Sequence, residues 1–413
     1  MVHGGVEASA GALGAGRIET VRAGYALDMA QLHLDLAKSL ASFRAEHASA
    51  LSWYLDLDPT SVPTASELSS HVTSLVDEAA RAAEHASDAL EHDAARQLRE
   101  DVAKIETFLE NELDRSETRG LALFVSGANE IWHEVRLPRP VEDAVHIGRT
   151  FVLAPLLELL ERDRRLILAA VGRDRGSLWS LRNGVVSDVD DLTRDGQGQH
   201  DQGGWSQARY QRARDKEALD HMRAVANAIS ERIPQGSDTL LVLAGPEEHR
   251  NAFEELLEPH VRGAIVGWTD AQKQNDGDAL RPEAERLLDE HLESERAALV
   301  DRWREEHGQR SGRATQTWDE TMAAASDGRI DALLVDGRSK EAFECASCGR
   351  GYVSRGLCEL DSTELTDALG GALELVVRGT LINGGTIHFV QGGELDETDG
   401  AAALLRYVVA PTG

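Results

Sequence analysis

The stretch RRLILAAVGRDRGSLWSLRNGVV, residues 164–186, decides the fold of the middle of the chain. It predicts two strands joined by a turn over residues 172–176, because apolar runs flank a short polar segment bounded by glycines. TLLVLAGPEEH, residues 239–249, predicts a further buried strand, and an amphipathic helix separates it from the hairpin. Strands and helices in alternation predict an α/β layer, which we place at residues 118–268.

Helix-rich sequence precedes this layer, and a mixed region follows it. Residues 1–117 predict a mostly helical domain with one strand at ALSWYLDLD, residues 50–58. Residues 269–413 predict a charged helical segment followed by strands at residues 330–337 and 386–392, with a helix between them. The predicted fold class is therefore an α/β multidomain protein, with a helical-rich N-terminal domain, an α/β middle domain and an α/β C-terminal domain.

The composition limits both the compartment and the partners. The chain of 413 residues carries a formal net charge of −29, and a phosphate lattice repels a surface that is acidic throughout. We therefore expect no DNA partner and only local contact with RNA. No run reaches the roughly 18 apolar residues that a membrane span needs, so we expect a cytoplasmic protein without a membrane partner.

The segment GGWSQARYQR, residues 203–212, stands between a polar stretch without periodicity and an amphipathic helix. Gly203 and Gly204 allow backbone conformations and close approaches that a Cβ would forbid. Gln207 has a neutral carboxamide that donates and accepts hydrogen bonds, so it can orient a water molecule but cannot act as a general base. The apolar stripe of the helix begins only after this segment, at Leu219, Met222, Ala226, Ile229 and Ile233. We therefore expect Trp205 and Gln207 to lie outside the core.

Basic residues form two clusters in the same domain. The first cluster follows the loop and consists of Arg209, Arg212, Arg214 and Lys216. The second precedes it and consists of Arg162, Arg164, Arg165, Arg173, Arg175 and Arg182. In an acidic chain, a local excess of positive charge predicts a surface that binds RNA phosphates. The alternative is a glycine-rich surface loop that caps a helix with solvated arginines.

Several segments together resemble the bacterial relatives of archaeal and eukaryotic class-I release factors, a group that includes peptidyl-tRNA hydrolases of ribosome quality control. They are SWYLDLDP at residues 52–59, LREDVAKIETFLENEL at 98–113, RGLALFVSG at 119–127, the GGWSQARYQR segment, and GGELDETDGAAALLRY at 392–407. The resemblance covers most of the chain from about residue 50. It implies an RNase H-like middle domain and a ribosomal-protein-like α/β/α C-terminal domain.

The resemblance also implies roles for individual residues. In that superfamily a glycine-rich loop, GGQ in release factors, enters the peptidyl transferase centre, where its glutamine positions water against the ester between peptide and tRNA. Gly203, Gly204 and Gln207 match this pattern, with Trp205 and Ser206 inserted between the glycines and the glutamine. The C-terminal domain is implied to contact the ribosomal stalk base and a translational GTPase.

The implied function is that of a ribosome-dependent peptidyl-tRNA hydrolase that rescues stalled ribosomes and uses no cofactor for catalysis. Its expected partners are the large ribosomal subunit and peptidyl-tRNA. Residues 64–66, Thr-Ala-Ser, are followed by ELSS instead of the Asn-Ile-Lys-Ser of a stop-codon motif, so we expect no decoding. The alternative is a non-catalytic factor that occupies the ribosomal A site during hibernation or stress, and the departure from GGQ favours it.

All three cysteines lie in CASCGRGYVSRGLCELD, residues 345–361. Cys345 and Cys348 have the spacing at which two thiolates bind one tetrahedral ion. Cys358 is followed by Asp361 where a fourth cysteine would complete a zinc ribbon, and its carboxylate can supply an oxygen ligand. These four residues therefore predict a degenerate zinc ribbon with a structural zinc ion. The alternative is a decayed ribbon whose cysteines bind no metal.

Overall fold

The computed structural model shows a chain of three units built from mixed helix and sheet. It describes residues 29–46, 48–87, 90–116, 118–161, 164–173, 176–182, 184–192, 207–269, 276–391 and 393–408. In these ranges no helix is both long enough and apolar enough to cross a membrane.

The first unit is an antiparallel sheet whose strands lie in the order β3-β2-β1-β4. Its elements are α1 (Met29–Ser42), β1 (Ala50–Asp56), α2 (Ala65–Ser87), α3 (His92–Asn111), β2 (Gly120–Ser126), β3 (Ile131–Leu137) and β4 (Ala144–Gly148). Because alternate side chains of a strand face opposite sides, Trp53 and Leu55 pack under α2 and α3, whereas Tyr54 enters a second core.

This sheet extends past the boundary that we expected at residue 117. Strand β1 pairs with β2 on one side and with β4 on the other. A lone buried strand would leave its backbone donors and acceptors unpaired at both edges, so the first unit needs the three strands up to Gly148. The expected helical domain with one strand is therefore a helix-covered four-stranded sheet.

The middle unit contains the predicted hairpin at the centre of a five-stranded sheet with the order β7-β6-β5-β8-β9. Helix α4 (Ala154–Glu161) precedes this unit and packs in the core that Tyr54 enters, not on the middle sheet. The elements of the middle unit are β5 (Leu166–Val171), β6 (Gly176–Arg182), β7 (Val185–Asp191), α5 (Gln207–Arg232), β8 (Leu240–Ala244), α6 (Arg250–Glu254), α7 (Pro259–Gly263) and β9 (Ile265–Thr269). Strands β5, β8 and β9 are parallel, and β6 is antiparallel to β5. This mixed sheet agrees with the RNase H-like fold that the resemblance implies.

The third unit is the expected α/β/α sandwich. Its elements are α8 (Gly277–Gly308), β10 (Ala314–Thr315), α9 (Trp318–Ser326), β11 (Ile330–Val335), β12 (Phe343–Cys345), β13 (Gly351–Tyr352), β14 (Leu365–Asp367), α10 (Gly371–Ile382), β15 (Thr386–Phe389) and β16 (Ala401–Leu405). The order β10-β16-β11-β15 forms the main sheet, and β13-β12-β14 forms a small separate one. Leu334 faces α8, whereas Leu333 and Val335 face α9 and α10.

Two features join the units. Helix α8 serves two sheets, because Leu280 packs on the middle sheet and Trp303 packs on the third. The first and third units share one core, in which Tyr54 and Phe124 lie in the same apolar cluster as Val376. The boundary expected at residue 268 thus falls just before a helix that belongs to both neighbours.

Candidate functional site

Helix α5 extends well beyond the sheet that it covers. It begins at Gln207, and the six consecutive residues 212–217 are all exposed. Six helical residues point to every side of the axis, so no side of this stretch is buried against the rest of the described chain. Ala218 is the first buried residue after this stretch, about 16 Å along the axis from Gln207 at 1.5 Å per residue. Gln207 therefore lies at the tip of a projecting helix.

The packed part of α5 covers the hairpin. Its buried stripe consists of Ala218, His221, Met222, Val225, Ala226, Ile229 and Ile233. Leu219, which the sequence placed on this stripe, is 38% exposed. The reason is the close approach of β6, where a Cβ on Gly176 would lie 2.4 Å from Val225 and 3.3 Å from His221. This contact turns the side of α5 that carries Ala218 toward the sheet and Leu219 away from it.

Gly176 also holds the strand that leads into the loop. The backbone N–H of Leu192 donates to the carbonyl oxygen of Gly176 at 2.6 Å. Leu192 is the last described residue before the loop, and α5 packs on the same glycine after it. Gly176 thus contacts both the segment that ends at Leu192 and the packed part of α5.

Several predicted site residues lie outside the described part of the chain. These are Gly203, Gly204, Trp205 and Ser206, together with the side chains of Gln207 and Arg209. The geometry predicted for the glycines and the glutamine carboxamide therefore stays a prediction. The structure shows that Gln207 is the first residue of α5.

Positive charge is concentrated on the projecting part of α5. Residues 207–216 contain four cations, Arg209, Arg212, Arg214 and Lys216, and one carboxylate, Asp215, which gives a local net charge of +3. Asp215 pairs with Arg173 of the second basic cluster at 3.0 Å. Such exposed pairs stabilise a protein by less than about 1 kcal/mol, so a phosphate can compete for the arginine.

Other arginines of the middle unit already have acidic partners. Arg232 contacts Asp190 at 2.8 Å, Arg223 contacts Asp220 at 3.4 Å, and Arg164 contacts Asp238 at 3.9 Å. Arg162 and Arg175 lie outside the described residues. Two members of the second basic cluster, Arg164 and Arg173, therefore have acidic partners.

The four residues of the predicted zinc ribbon come together. One ligand atom from each of Cys345, Cys348, Cys358 and Asp361 lies within 4.8 Å of all the others. The Sγ atoms of Cys348 and Cys358 are 3.6 Å apart, and Cys345 Sγ lies 3.6 Å from Asp361 Oδ2. A tetrahedral zinc ion with Zn–S of about 2.3 Å and Zn–O of about 2.0 Å sets such atoms about 3.8 Å and about 3.5 Å apart. The donor types and these two distances therefore fit zinc.

Two turns of the same form present these ligands. The N–H of Gly349 donates to the carbonyl of Cys345, and the N–H of Ser362 donates to the carbonyl of Cys358, both at 2.9 Å. Gly349 has φ of +77° and Ser362 has φ of +58°, so both turns close in the left-handed region. Asp361 thus occupies in the second turn the position that Cys348 occupies in the first.

The surroundings of the cluster favour charged ligands at some positions more than at others. A hydrogen bond from the Tyr352 hydroxyl, 3.3 Å from Cys358 Sγ, lowers the pKa of that thiol. The backbone N–H of Thr363, 3.0 Å from Asp361 Oδ1, lowers the pKa of that carboxyl group. Desolvation raises the pKa of Cys348 to about 11. Sequence reasoning missed Tyr352, whose only signal was a polar aromatic residue between the two cysteine turns.

Sequence comparison finds a matching protein family and related release factors. Residues 152–296 match the model of the family described as bacterial archaeo-eukaryotic release factor family 10. Peptide chain release factor subunit 1 of Thermococcus onnurineus is 26% identical over 250 residues, covering 56% of this chain and 60% of the relative. The same factor of Thermococcus sibiricus is 27% identical over 249 residues with the same coverage. The chain thus spans about 60% of the length of these curated relatives.

Solved structures with similar chains have low sequence identity. The crystal structure of the archaeal translation termination factor aRF1 is 14% identical with a TM-score of 0.25, covering 92% of this chain and 98% of that one. Dom34 of S. cerevisiae, described as a translation termination-like factor involved in RNA quality control, is 12% identical with a TM-score of 0.41, covering 70% and 74%. The family match and the curated relatives confirm the resemblance seen in the sequence.

Proposed function

Because the chain is a bacterial archaeo-eukaryotic release factor-like protein, we propose that it acts on the ribosome as a peptidyl-tRNA hydrolase that rescues stalled complexes without decoding a stop codon. The observation that supports this most is the projecting end of α5, which lies inside the matched segment 152–296 and begins at Gln207. A long exposed helix with a glutamine at its tip can reach a crevice that the body of the protein cannot enter.

In this proposal Gln207 orients the attacking water through its carboxamide. The water oxygen attacks the carbonyl carbon of the ester, the bond to the tRNA ribose oxygen breaks, and that oxygen takes up a proton. The first four N–H groups of a helix have no acceptor within the helix, so the start of α5 can stabilise the negative charge that develops on the carbonyl oxygen. Gly203 and Gly204 give the preceding loop the freedom to approach closely.

The local charge explains how an acidic protein can dock on RNA. The chain carries a net charge of −29, whereas residues 207–216 carry +3. Arg209, Arg212, Arg214 and Lys216 follow Gln207 directly, so in the proposal they contact rRNA or tRNA phosphates on either side of the reacting ester. The net negative charge of the chain disfavours contact with RNA elsewhere on average. In this proposal the third unit contacts a translational GTPase, which is the partner that the resemblance suggests.

A release assay on stalled 70S and split 50S complexes that carry peptidyl-tRNA tests the proposal. Gln207→Ala should lower the rate of peptide release by about a hundredfold or more, the scale expected for a group that acts only in the transition state. Its co-sedimentation with ribosomes should be unchanged. Gln211→Ala is the matched control, because Gln211 lies one turn further along α5, and it should keep the wild-type rate.

One observation favours a second function, that of a non-catalytic factor bound in the A site. Trp205 and Ser206 separate the glycines from the glutamine, and Gln207 lies in the helix rather than in the loop. A glutamine fixed in the helix would fill the site on the ribosome without orienting a water molecule, so it would act as a plug. The same assay separates the two functions: wild-type protein that binds ribosomes and releases no peptide supports the plug, and equal release by the wild type and Gln207→Ala rejects the catalytic role of Gln207.

We also propose that Cys345, Cys348, Cys358 and Asp361 bind a structural zinc ion. The ion would cross-link the two turns at 345–349 and 358–362, and it has no part in the hydrolysis. Metal analysis of the purified protein should find about one zinc per chain. Asp361→Ala should lose zinc at lower chelator concentrations, Asp361→Cys should retain it more tightly, and Glu359→Ala, an exposed neighbour, should behave as the wild type. Protein without stoichiometric zinc would end this proposal.

A further inference from the structure

Strand β12 places two chemically different residues side by side. Glu344 and Cys345 are neighbours, and successive side chains of a strand point to opposite faces. Cys345 faces the cysteine cluster, whereas Glu344 faces the junction of the first and third units. Glu344 is only 7% exposed, so its carboxylate is a buried charge that needs partners.

The partners of Glu344 come from both units. Arg44, which follows α1, donates from Nη1 to Glu344 Oε1 at 2.6 Å. Arg378 of α10 makes a short contact from Nη2 to the same oxygen, and its Nη1 donates to Thr150 Oγ1 at 2.7 Å. Arg378 is 7% exposed. Arg44, Thr150, Glu344 and Arg378 therefore form one hydrogen-bonded network, which we call the Glu344 clamp, across the junction.

The clamp and the cysteine cluster touch the same structural elements. They border one cleft of about 280 Å³, lined among others by Arg44, Glu344, Cys348 and Arg378. Gly349 closes the first cysteine turn, and a Cβ built on it would lie 3.7 Å from Arg44 Nη1 and 3.8 Å from Glu344 Oε1. A shift of the first cysteine turn would therefore act directly on Arg44 and Glu344 of the clamp.

The small sheet that carries Glu344 is too short to hold its register alone. Strands β12, β13 and β14 contain three, two and three residues. Sheets of this size depend on other interactions for their stability. An ion bound by Cys345 and by Cys348, Cys358 and Asp361 would tie β12 to the two turns that flank the sheet.

From this arrangement we propose that metal binding at the cysteine cluster is coupled to the contact between the first and third units through the Glu344 clamp. This inference rests on the zinc ion proposed above. The ion keeps β12 in register and holds Glu344 between Arg44 and Arg378. Without it, β12 shifts, Arg378 loses its buried counter-charge, and the junction opens. Because such coupling is reciprocal, a broken clamp must weaken zinc binding by the same factor.

Hydrogen exchange of the full-length protein tests the coupling at two amides of the junction. The N–H groups of Leu153 and Ala154 both donate to Glu374 Oε2 of α10 at 2.9 Å, so they exchange faster when the junction opens. Removing zinc with a chelator should speed exchange of the peptide that contains them by at least tenfold. Strand β5, buried in the middle sheet, is the internal reference and should not change.

Variants separate the clamp from the metal ligands. Glu344→Gln keeps all four ligands, and it should speed exchange at Leu153 and Ala154 with zinc present and should release zinc several times more readily. Glu341→Gln, an exposed neighbour, is the control and should do neither. If Glu344→Gln does not fold, Arg44→Gln at the rim of the cleft, where the arginine side chain is 26% exposed, serves in its place.

The possible results distinguish failure of the coupling from failure of the zinc site. Faster exchange at the junction after chelation, with weaker zinc binding in the clamp variant, supports the coupling. Zinc that binds stoichiometrically while chelation leaves Leu153 and Ala154 unchanged overturns the coupling and leaves the zinc site standing. Absence of bound zinc in the wild type overturns both, and metal analysis alone shows that result. Peptide release is measured separately, so none of these results depends on it.

Discussion

The projecting end of α5 and the junction of the first and third units use charge in opposite ways. Residues 212–217 are all exposed, and their charges are solvated. At the junction Glu344, Glu374 and Arg378 are each at most 7% exposed, and each bonds to a residue outside the third unit. Exposed charges of this kind contribute little to folding. The buried charges hold the units together and are costly to disturb.

The largest contrast should come from removing one cation from each region. Arg378→Ala leaves Glu344 with Arg44 alone and Thr150 without its donor, so we expect a loss of about 3–5 kcal/mol in the free energy of unfolding. Lys216→Ala on the projecting helix should change it by less than about 0.5 kcal/mol. Chemical denaturation of the two variants checks both values. Equal, small losses of unfolding free energy in the two variants would show that Arg378 stabilises the fold no more than the exposed Lys216 does.

Glu374 makes the stability of the junction depend on pH. Desolvation raises the pKa of this carboxyl group from its ordinary 4.5 to about 7, although two backbone N–H groups partly oppose the shift. The folded state therefore holds the proton more tightly than the unfolded state does. The resulting stabilisation is complete below about pH 4.5 and is lost as the pH rises through about 7, a loss of about 3 kcal/mol.

The variant Glu374→Gln isolates this effect. Its side chain cannot ionise, so the difference in unfolding free energy between wild type and variant should shift by about 3 kcal/mol against the wild type from pH 4.5 to pH 8. The comparison with the variant is needed because carboxyl groups with lowered pKa, such as those of Asp58 and Asp114, change the stability in the opposite sense at lower pH. A difference that stays constant over this range would mean that Glu374 does not titrate with folding.

The sequence predicted local features of both regions and missed the long-range ones. The hairpin of β5 and β6 and the four clustered ligands follow from spacings of a few residues, and the structure contains both arrangements. Strand β1, by contrast, pairs with strands that lie about 70 and about 95 residues further along the chain. The Glu344 clamp likewise joins Arg44, Thr150 and Arg378, and no periodicity in the sequence marks such contacts. Exposure of residues 212–217 was predictable, because the apolar stripe of α5 begins after them.

The smallest expected effect concerns the point where α5 is anchored, and it tests whether the projecting end depends on packing elsewhere. A Cβ on Gly176 would lie 2.4 Å from Val225, so Gly176→Ala must push α5 away from β6. We expect a loss of about 1–3 kcal/mol in the free energy of unfolding, the usual range for overpacking. Gly263→Ala, with no atom within 4 Å of its new Cβ, should be close to neutral. If Gly176→Ala also slows peptide release while ribosome binding is kept, the direction of α5 matters for the reaction. Unchanged release despite the lost stability would mean that contacts with the ribosome, and not the packing of α5 on Gly176, set the position of the projecting helix.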